Sequence, residues 1–263
     1  MQYATQFQYM TANPGAYGVL WLLGYPDQAL QRSNEALTHA QRLSQLYNLA
    51  TAYLAYAVML HEFRREWQAV QERTAAGMSI STEHGFTQTL AIGAIRQGRV
   101  LTRQGRGEEG IGQIHQGISA YRATGAEIRC PYYLSLLAEA YEMLDQPEEG
   151  LTVLTEALAL ADKNDERWCE AELHRLKGEL LLQQSPDYHA EAESCFHQAI
   201  TIAQNQSAKS WELRAATSLA RLWQSQGKRD EARELLAPVY SWFTEGFDTA
   251  DLIDAKTLLD ELA

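Results

Sequence analysis

The chain has 263 residues, 46% of them hydrophobic, and 34 acidic against 22 basic side chains give it a formal net charge of −12. Such a surface repels phosphate backbones and anionic bilayers, so neither nucleic acid nor membrane is an expected partner. Three cysteines, Cys130, Cys169 and Cys195, with no CxxC spacing exclude a disulfide framework or a zinc ribbon, and they read as small buried thiols.

No run reaches 18 apolar residues, and MQYATQFQYMT has neither the basic nor the apolar region of a secretory leader. A cytoplasmic protein is expected. Near the start, Tyr3, Phe7 and Met10 stand at helical spacing and read as a cap or the remnant of a repeat. Asn13 and Pro14 then suit the start of a short helix weakened by Gly15 and Gly18. The pattern predicts helical hairpins over about 13–45, 46–80, 86–124, 130–164, 167–206 and 209–244. A closing helix follows at 248–262, and the whole of 1–263 forms one domain.

The clearest hairpin is the fourth. Leu134, Leu137, Ala138 and Tyr141 precede an Asp145-Gln146-Pro147 turn, and Leu151, Leu154, Ala157 and Leu158 follow it, all at helical spacing. Such a hairpin cannot bury both apolar faces alone, so it needs neighbours. The sequence supplies them: a small residue opens each second helix at Ala29, Ala69, Gly110, Gly150, Ala192 and Ala232, at intervals of 40, 41, 40, 42 and 40. Seven positions on come Ala36, Ala76, Gly117, Ala157, Ala199 and Val239. Twelve positions before the anchor come Tyr17, Ala57, Gly98, Ala138 and Ala220, and Gly178 joins them if the turn from Ser185 to Tyr188 holds two extra residues. Small side chains let crossing helices approach, and a large neighbour fills the space left.

These columns, with Ile114, Leu154, Phe196 and Leu236 in the large slot, resemble the tetratricopeptide repeat. The resemblance implies an all-α solenoid of about six hairpins in a right-handed superhelix. Two features depart from that family: the period is about 41 residues instead of ~34, and the closing Pro is missing. A HEAT-like array fits the period but not the small-residue columns, and ranks second. Past Gly246-Phe247 a capping helix starts at Asp248 or Thr249 and carries Leu252, Ala255, Leu259 and Leu262 on one face.

Longer runs narrow the resemblance. WLLGYPDQAL, AYRATGAEIRCPYYLSLLAEAY, AELHRLKGELLLQ and the stretch from Ser210 to Leu262 are similar to the C-terminal helical-repeat arm of large bacterial regulators. Those regulators join a nucleotide-cyclase or kinase domain to a signalling ATPase. The resemblance implies an arm that senses a ligand or protein and controls the ATPase. With no GxxxxGK[ST] loop and no cyclase segment here, it implies either the arm alone or a free-standing relative.

Catalytic and metal signals are thin. Gly105 to Gly110 spells GxGxxG, but helices flank it and Glu108 and Glu109 would repel a pyrophosphate, so it reads as a hairpin turn. His189, Glu193 and His197 share a helix face with no fourth metal ligand, and read as a solvated stripe. Arg65 stands where His61-Glu62 would need the second histidine of HExxH, and Cys130 before Pro131 reads as a helix start. No catalytic residues, metal or cofactor are expected.

The candidate site lies on the first helices, which line the concave face of tetratricopeptide stacks. Their non-core positions are His61 (with Leu54) in the second repeat and Arg96, Arg99 and Arg103 in the third. Tyr132, Ser135 and Glu139 follow in the fourth, Arg175 and Glu179 in the fifth, and Arg214, Arg221 and Gln224 in the sixth. Converging arginines suit carboxylates or an acidic peptide, because the guanidinium fork donates paired bonds. Alternatively these charges pair with one another, Arg175 with Glu179 for instance. The expected function is a non-catalytic interaction and sensing module with a protein or peptide partner. A small-molecule effector sensor, with an aromatic cavity near Tyr132, Trp168 and Trp211, is the first alternative. A structural arm that self-associates through its terminal repeats is the second.

Overall fold

Helices account for most residues of the computed structural model, which describes residues 18–43 and 45–263. After a helical turn at 18–22 come α1 (Pro26–Leu43), α2 (Leu46–Thr51), a π-helical stretch (Ala52–Ala57) and α3 (Val58–Phe63). Then follow α4 (Trp67–His84), α5 (Thr87–Arg103), α6 (Gly107–Ala123), α7 (Cys130–Met143) and α8 (Pro147–Asn164). The chain ends with α9 (Glu170–Gln184), α10 (His189–Asn205), α11 (Lys209–Ser225), α12 (Arg229–Ser241) and α13 (Ala250–Glu261). Among the described residues there is no strand, and no helix is long and apolar enough to cross a membrane. The expectations for Tyr3, Phe7, Met10, Asn13 and Pro14 fall outside the described residues.

The helices build an all-α, tetratricopeptide-like solenoid. Each odd-numbered helix from α5 to α11 packs on the helix after it, and α5, α7, α9 and α11 also touch one another in series, which makes them an inner layer. The small-residue columns explain the spacing of the two layers. A Cβ added at Gly98 would lie 2.6 Å from the Gly110 carbonyl and 2.6 Å from Ile114, so only a bare backbone allows that crossing. Gly178 meets Phe196 in the same way, at 2.5 Å. A short 3-10 turn, Pro186–Tyr188, takes up the extra residues of the fifth hairpin.

One column needs correction. Every other second helix places its anchor in the fourth residue, but in α4 that residue is Val70, fully buried, and Ala69 stands beside it half-exposed. The small partner seven positions on is accordingly Gly77, packed on Leu54, and not Ala76. A slip of one residue turns a helix face by about 100°, so the position assigned to His61 belongs to Glu62. The closing helix α13 starts behind Thr249 and buries Leu252, Ala255 and Leu258, with Leu259 at the edge of the contact.

The solenoid closes on itself. Trp21 stacks on Phe63 (ring centroids 4.3 Å apart) and meets Trp211 edge-on at 4.8 Å, 190 residues away in sequence. The Ser210 hydroxyl donates to the Trp21 carbonyl at 2.5 Å. At the outer rim the contact is reciprocal. The Glu245 carboxylate accepts from the backbone N–H groups of Asp27 and Gln28 at 3.0 Å each, and so caps α1. In return Asp27 accepts from the Gly246 N–H at 2.9 Å. Free N–H groups at a helix start are electropositive donors that a carboxylate satisfies well. Gly246 has φ +74°, and a Cβ there would fall 2.1 Å from Pro26, so both backbone conformation and space require glycine. Arg64 completes the rim by donating to the Pro26 carbonyl and to Asp27.

Candidate functional site

Inside the closed solenoid lies a cavity of about 310 Å³. Arg99 and Arg103 of α5, Tyr132, Ser135, Glu139 and Glu142 of α7, and Glu172, Arg175 and Glu179 of α9 face it. Trp211, Arg214 and Arg221 of α11 close one side, and Glu62, Phe63, Arg65 and Trp67 from around the α3–α4 turn close the other. The inner layer places these side chains: residues three and four apart on consecutive stacked helices form rows along the concave wall.

Of the residues expected in the groove, Arg99, Arg103, Tyr132, Ser135, Glu139, Arg175, Glu179, Arg214 and Arg221 line this cavity. Three stand elsewhere. Arg96 is fully buried behind the wall, where Nη1 donates to Glu62 and Nε donates to the Leu54 carbonyl at 3.3 Å. His61 is buried at the rim with Nδ1 2.6 Å from Glu66. Gln224 donates to Glu261 of α13. Leu54 is core, fully buried. Leu54 stands in the π-helical stretch, and its carbonyl accepts the Arg96 bond there. The next carbonyl, Ala55, likewise accepts from Arg129 at 2.7 Å.

Most charges on the wall are matched. Arg175 holds Glu172 through two parallel bonds of 2.9 Å and reaches Glu179 at 3.2 Å. Arg99 donates to Glu139 and lies over Trp67. Arg214 donates to Asp251 at 2.7 Å and to the Phe63 carbonyl at 2.8 Å, and reaches Glu172 at 3.4 Å. Burial by itself would lower the pKa values of Arg96, Arg99, Arg175 and Arg214. Their carboxylate neighbours more than offset it, so all four are raised and stay charged. Glu172 is buried too, which pushes its pKa up, yet Arg175 and Arg214 bring it below the usual carboxylate range.

Two groups break this balance. Arg103 has no hydrogen-bond or ion-pair partner among the described residues; it stacks 4.5 Å over Trp67, and partial burial lowers its pKa, with Glu139 and Glu142 pulling up against Arg99 and Arg65. Glu142 is pushed up to about 7, first by burial and then by Glu179 and Glu139, with Arg175 pulling the other way. Deeper in, Glu62 Oε2 accepts from Arg96 and from the Tyr132 hydroxyl (3.0 Å), while Oε1 has no hydrogen-bond partner. The cavity thus offers an unpaired cation on an aromatic floor beside a carboxyl near its midpoint at neutral pH.

The hydroxyls at the wall are already engaged. Ser135 donates to the Tyr132 carbonyl of its own helix, and Ser218 donates to Glu179, a carboxylate that Arg175 also holds. Burial raises the pKa values of all three cysteines, and none faces the cavity. GxGxxG is the α5–α6 turn, with Gly110 in the helix crossing. Glu193 accepts from Trp223 and lies 3.9 Å from His197, and among the described residues no three potential metal ligands converge.

Sequence reasoning missed Glu62, Arg65, Trp67, Glu142 and Glu172. Glu142 and Glu172 each stand three residues from a chosen position on the same helix face, Glu139 and Arg175, so a face-wide reading finds them. Arg65, in a turn with φ +58°, and Trp67, on the neighbouring helix, carry no such signal.

No family model matches the chain, and no curated protein matches it either. Among solved structures it is similar to a Rap protein complexed with competence and sporulation factor. That likeness has a TM-score of 0.66 at 14% identity, over 97% of this chain and 71% of that one. It is also similar to a Podosopora anserina putative kinesin light chain with nearly identical TPR-like repeats, at TM-score 0.49 and 21% identity, over 69% of this chain and 92% of that one. At these identities the likeness is one of fold.

Proposed function

We propose that the chain is a non-catalytic interaction and sensing module whose concave cavity binds an acidic peptide segment of a partner. The observation that carries this is the unpaired Arg103, set on Trp67 within a wall where other arginines already hold carboxylates. A carboxylate entering beside Arg103 gains a charge-assisted bond without displacing a partner already in place. The Rap protein of similar fold is itself described in complex with a bound factor, which supports a ligand-binding solenoid here. The runs from Trp21 to Leu262 that are similar to bacterial regulator arms support a further reading. On it, this is a single six-hairpin domain in the cytoplasm that serves as the regulatory arm of a signalling ATPase or cyclase, or as its free-standing relative.

The test is a capture experiment with the wild type and an Arg103→Glu/Arg221→Glu variant. Both side chains are exposed enough for the fold to tolerate reversal. A partner held by the wild type and lost by an equally stable variant supports the reading, and equal capture by both sinks it. A second reading, a small acidic effector, is favoured by the aromatic rings of Tyr132, Trp67 and Trp211 on the cavity wall and by its volume of about 310 Å³. Effector binding would raise the melting temperature of the wild type but not of the variant.

A further inference from the structure

The cavity wall is complete only because the two ends of the solenoid meet, and two of its arginines tie the turn of the second hairpin to the sixth hairpin and α13. Arg65, in the turn after α3, lies 3.0 Å from Asp251 and 2.9 Å from Asp254 on α13. Arg214, on α11, donates to the Phe63 carbonyl and to Asp251, with its guanidinium 5.1 Å over the Trp21 ring. Both face the cavity. A guanidinium has five N–H donors in a fixed fork, so an anion that takes two of them draws them from other acceptors. Here those acceptors are Asp251, Asp254 and the Phe63 carbonyl, which belong to the seam.

The outer rim of the seam is held separately, by Glu245 on the α1 N-terminus and Asp27 on the Gly246 N–H. Neither Glu245 nor Asp27 lines the cavity. Besides the aromatic cluster and the Ser210–Trp21 bond, the seam therefore has two charged fastenings, and only the inner one lies within reach of a bound molecule.

We propose, resting on the reading that the cavity takes an acidic ligand, that the seam is a latch and that carboxylates bound by Arg65 and Arg214 release it. The ligand class is a peptide or small molecule with at least two carboxylates, enough to replace Asp251 on both guanidiniums. Release uncovers the Trp21–Phe63–Trp211 cluster, an apolar surface that the closed form hides. Because the ligand favours the open arrangement, loosening the latch by any other means tightens ligand binding by the same factor.

The test uses the full chain with spin labels at Asn34→Cys on α1 and Arg233→Cys on α12, both exposed; the buried Cys130, Cys169 and Cys195 stay unlabelled. The probe is the tripeptide Glu-Glu-Glu, with Lys-Lys-Lys and sodium chloride at matched ionic strength as controls. The expected result is one short label distance in the free protein and a longer population that grows with Glu-Glu-Glu alone. Glu245→Gln should enlarge the longer population without ligand and tighten tripeptide binding about five- to tenfold. Asp27→Asn is the second variant, with the same expected signs. If the tripeptide binds by calorimetry and the label distance stays put, the latch is overturned while the acidic cavity stands. The same holds if the variants open the seam with no gain in affinity. If neither the wild type nor the variants bind the tripeptide, the acidic-ligand reading fails and takes the latch with it.

Discussion

Two kinds of contact hold this solenoid, and they differ in nearly every respect. Inside the stack, neighbouring helices meet through glycine, alanine and aliphatic side chains, as where Gly98 crosses Gly110 and Ile114 fills the gap. At the seam, hairpins some 190 residues apart meet through stacked aromatic rings, carboxylate caps and arginine forks. Stack contacts are local and repeat with the sequence, so they form whenever adjacent hairpins form. The seam forms once, after all the hairpins exist, and it alone brings the cavity's two sides together. The difference teaches that the fold and the site have separate origins: periodicity makes the solenoid, and a non-periodic set of side chains makes its enclosed interior.

The largest effect expected is at the seam. Trp21→Ala removes a nearly fully buried ring that touches Phe63 and Trp211. It should cost about 3–5 kcal/mol, and it should split urea unfolding into two steps as the first hairpins detach from an intact remainder. A single unfolding step would show that the seam and the stack act as one unit. Within the stack, Gly98→Val pushes side-chain atoms into the Gly110 carbonyl and the Ile114 backbone. About 3 kcal/mol should be lost there in one undivided transition.

That contrast also separates what the sequence discloses from what it hides. Ala29, Gly110, Gly150, Ala192 and Ala232 reveal the stack because close helix approach tolerates few residues. Val70 interrupts that column, so Ala69 beside it is taken for the anchor, and His61 stands in for Glu62. The arginines of the inner helices are readable from the register. Glu172 can be read from the helix face it shares with Arg175, but Glu62 cannot, because its role follows from Arg96 and Tyr132 on other helices. Glu245 and Gly246 carry no hint of α1, since nothing in a periodic pattern says that its ends meet.

Two smaller effects place the cost of buried charge. Glu142, on the cavity wall, has its folded pKa raised from 4.5 to about 7. Its contribution is therefore fully present below pH 4.5 and lost as pH rises through 7, and Glu142→Gln should flatten that decline. At pH 8 the variant should gain about 1–2 kcal/mol, a figure reduced from the full linkage value for solvent screening. His174, on α9, is lowered from 6.5 to about 4 by burial and then by Lys177. Its contribution is present above pH 6.5 and lost as pH falls towards 4, so His174→Gln should remove about 1 kcal/mol of acid sensitivity. Melting curves of the two variants between pH 4 and 8 should diverge from wild type at opposite ends. If both diverge at the same end, the charge costs have been misplaced.

The glycine at position 246 also sets a counting rule. Its N–H binds Asp27 and its bare α-carbon rests on Pro26, so the loop after the sixth hairpin must arrive at one place on the first. Open solenoids lengthen by duplication, since an extra unit only moves the far end outward. Here an added or deleted unit of about 41 residues would carry Glu245 and Gly246 past α1 and leave Trp21 with no counterpart. The chain's copy number is thereby fixed by its own circumference, and change is confined to turns that leave that circumference unaltered.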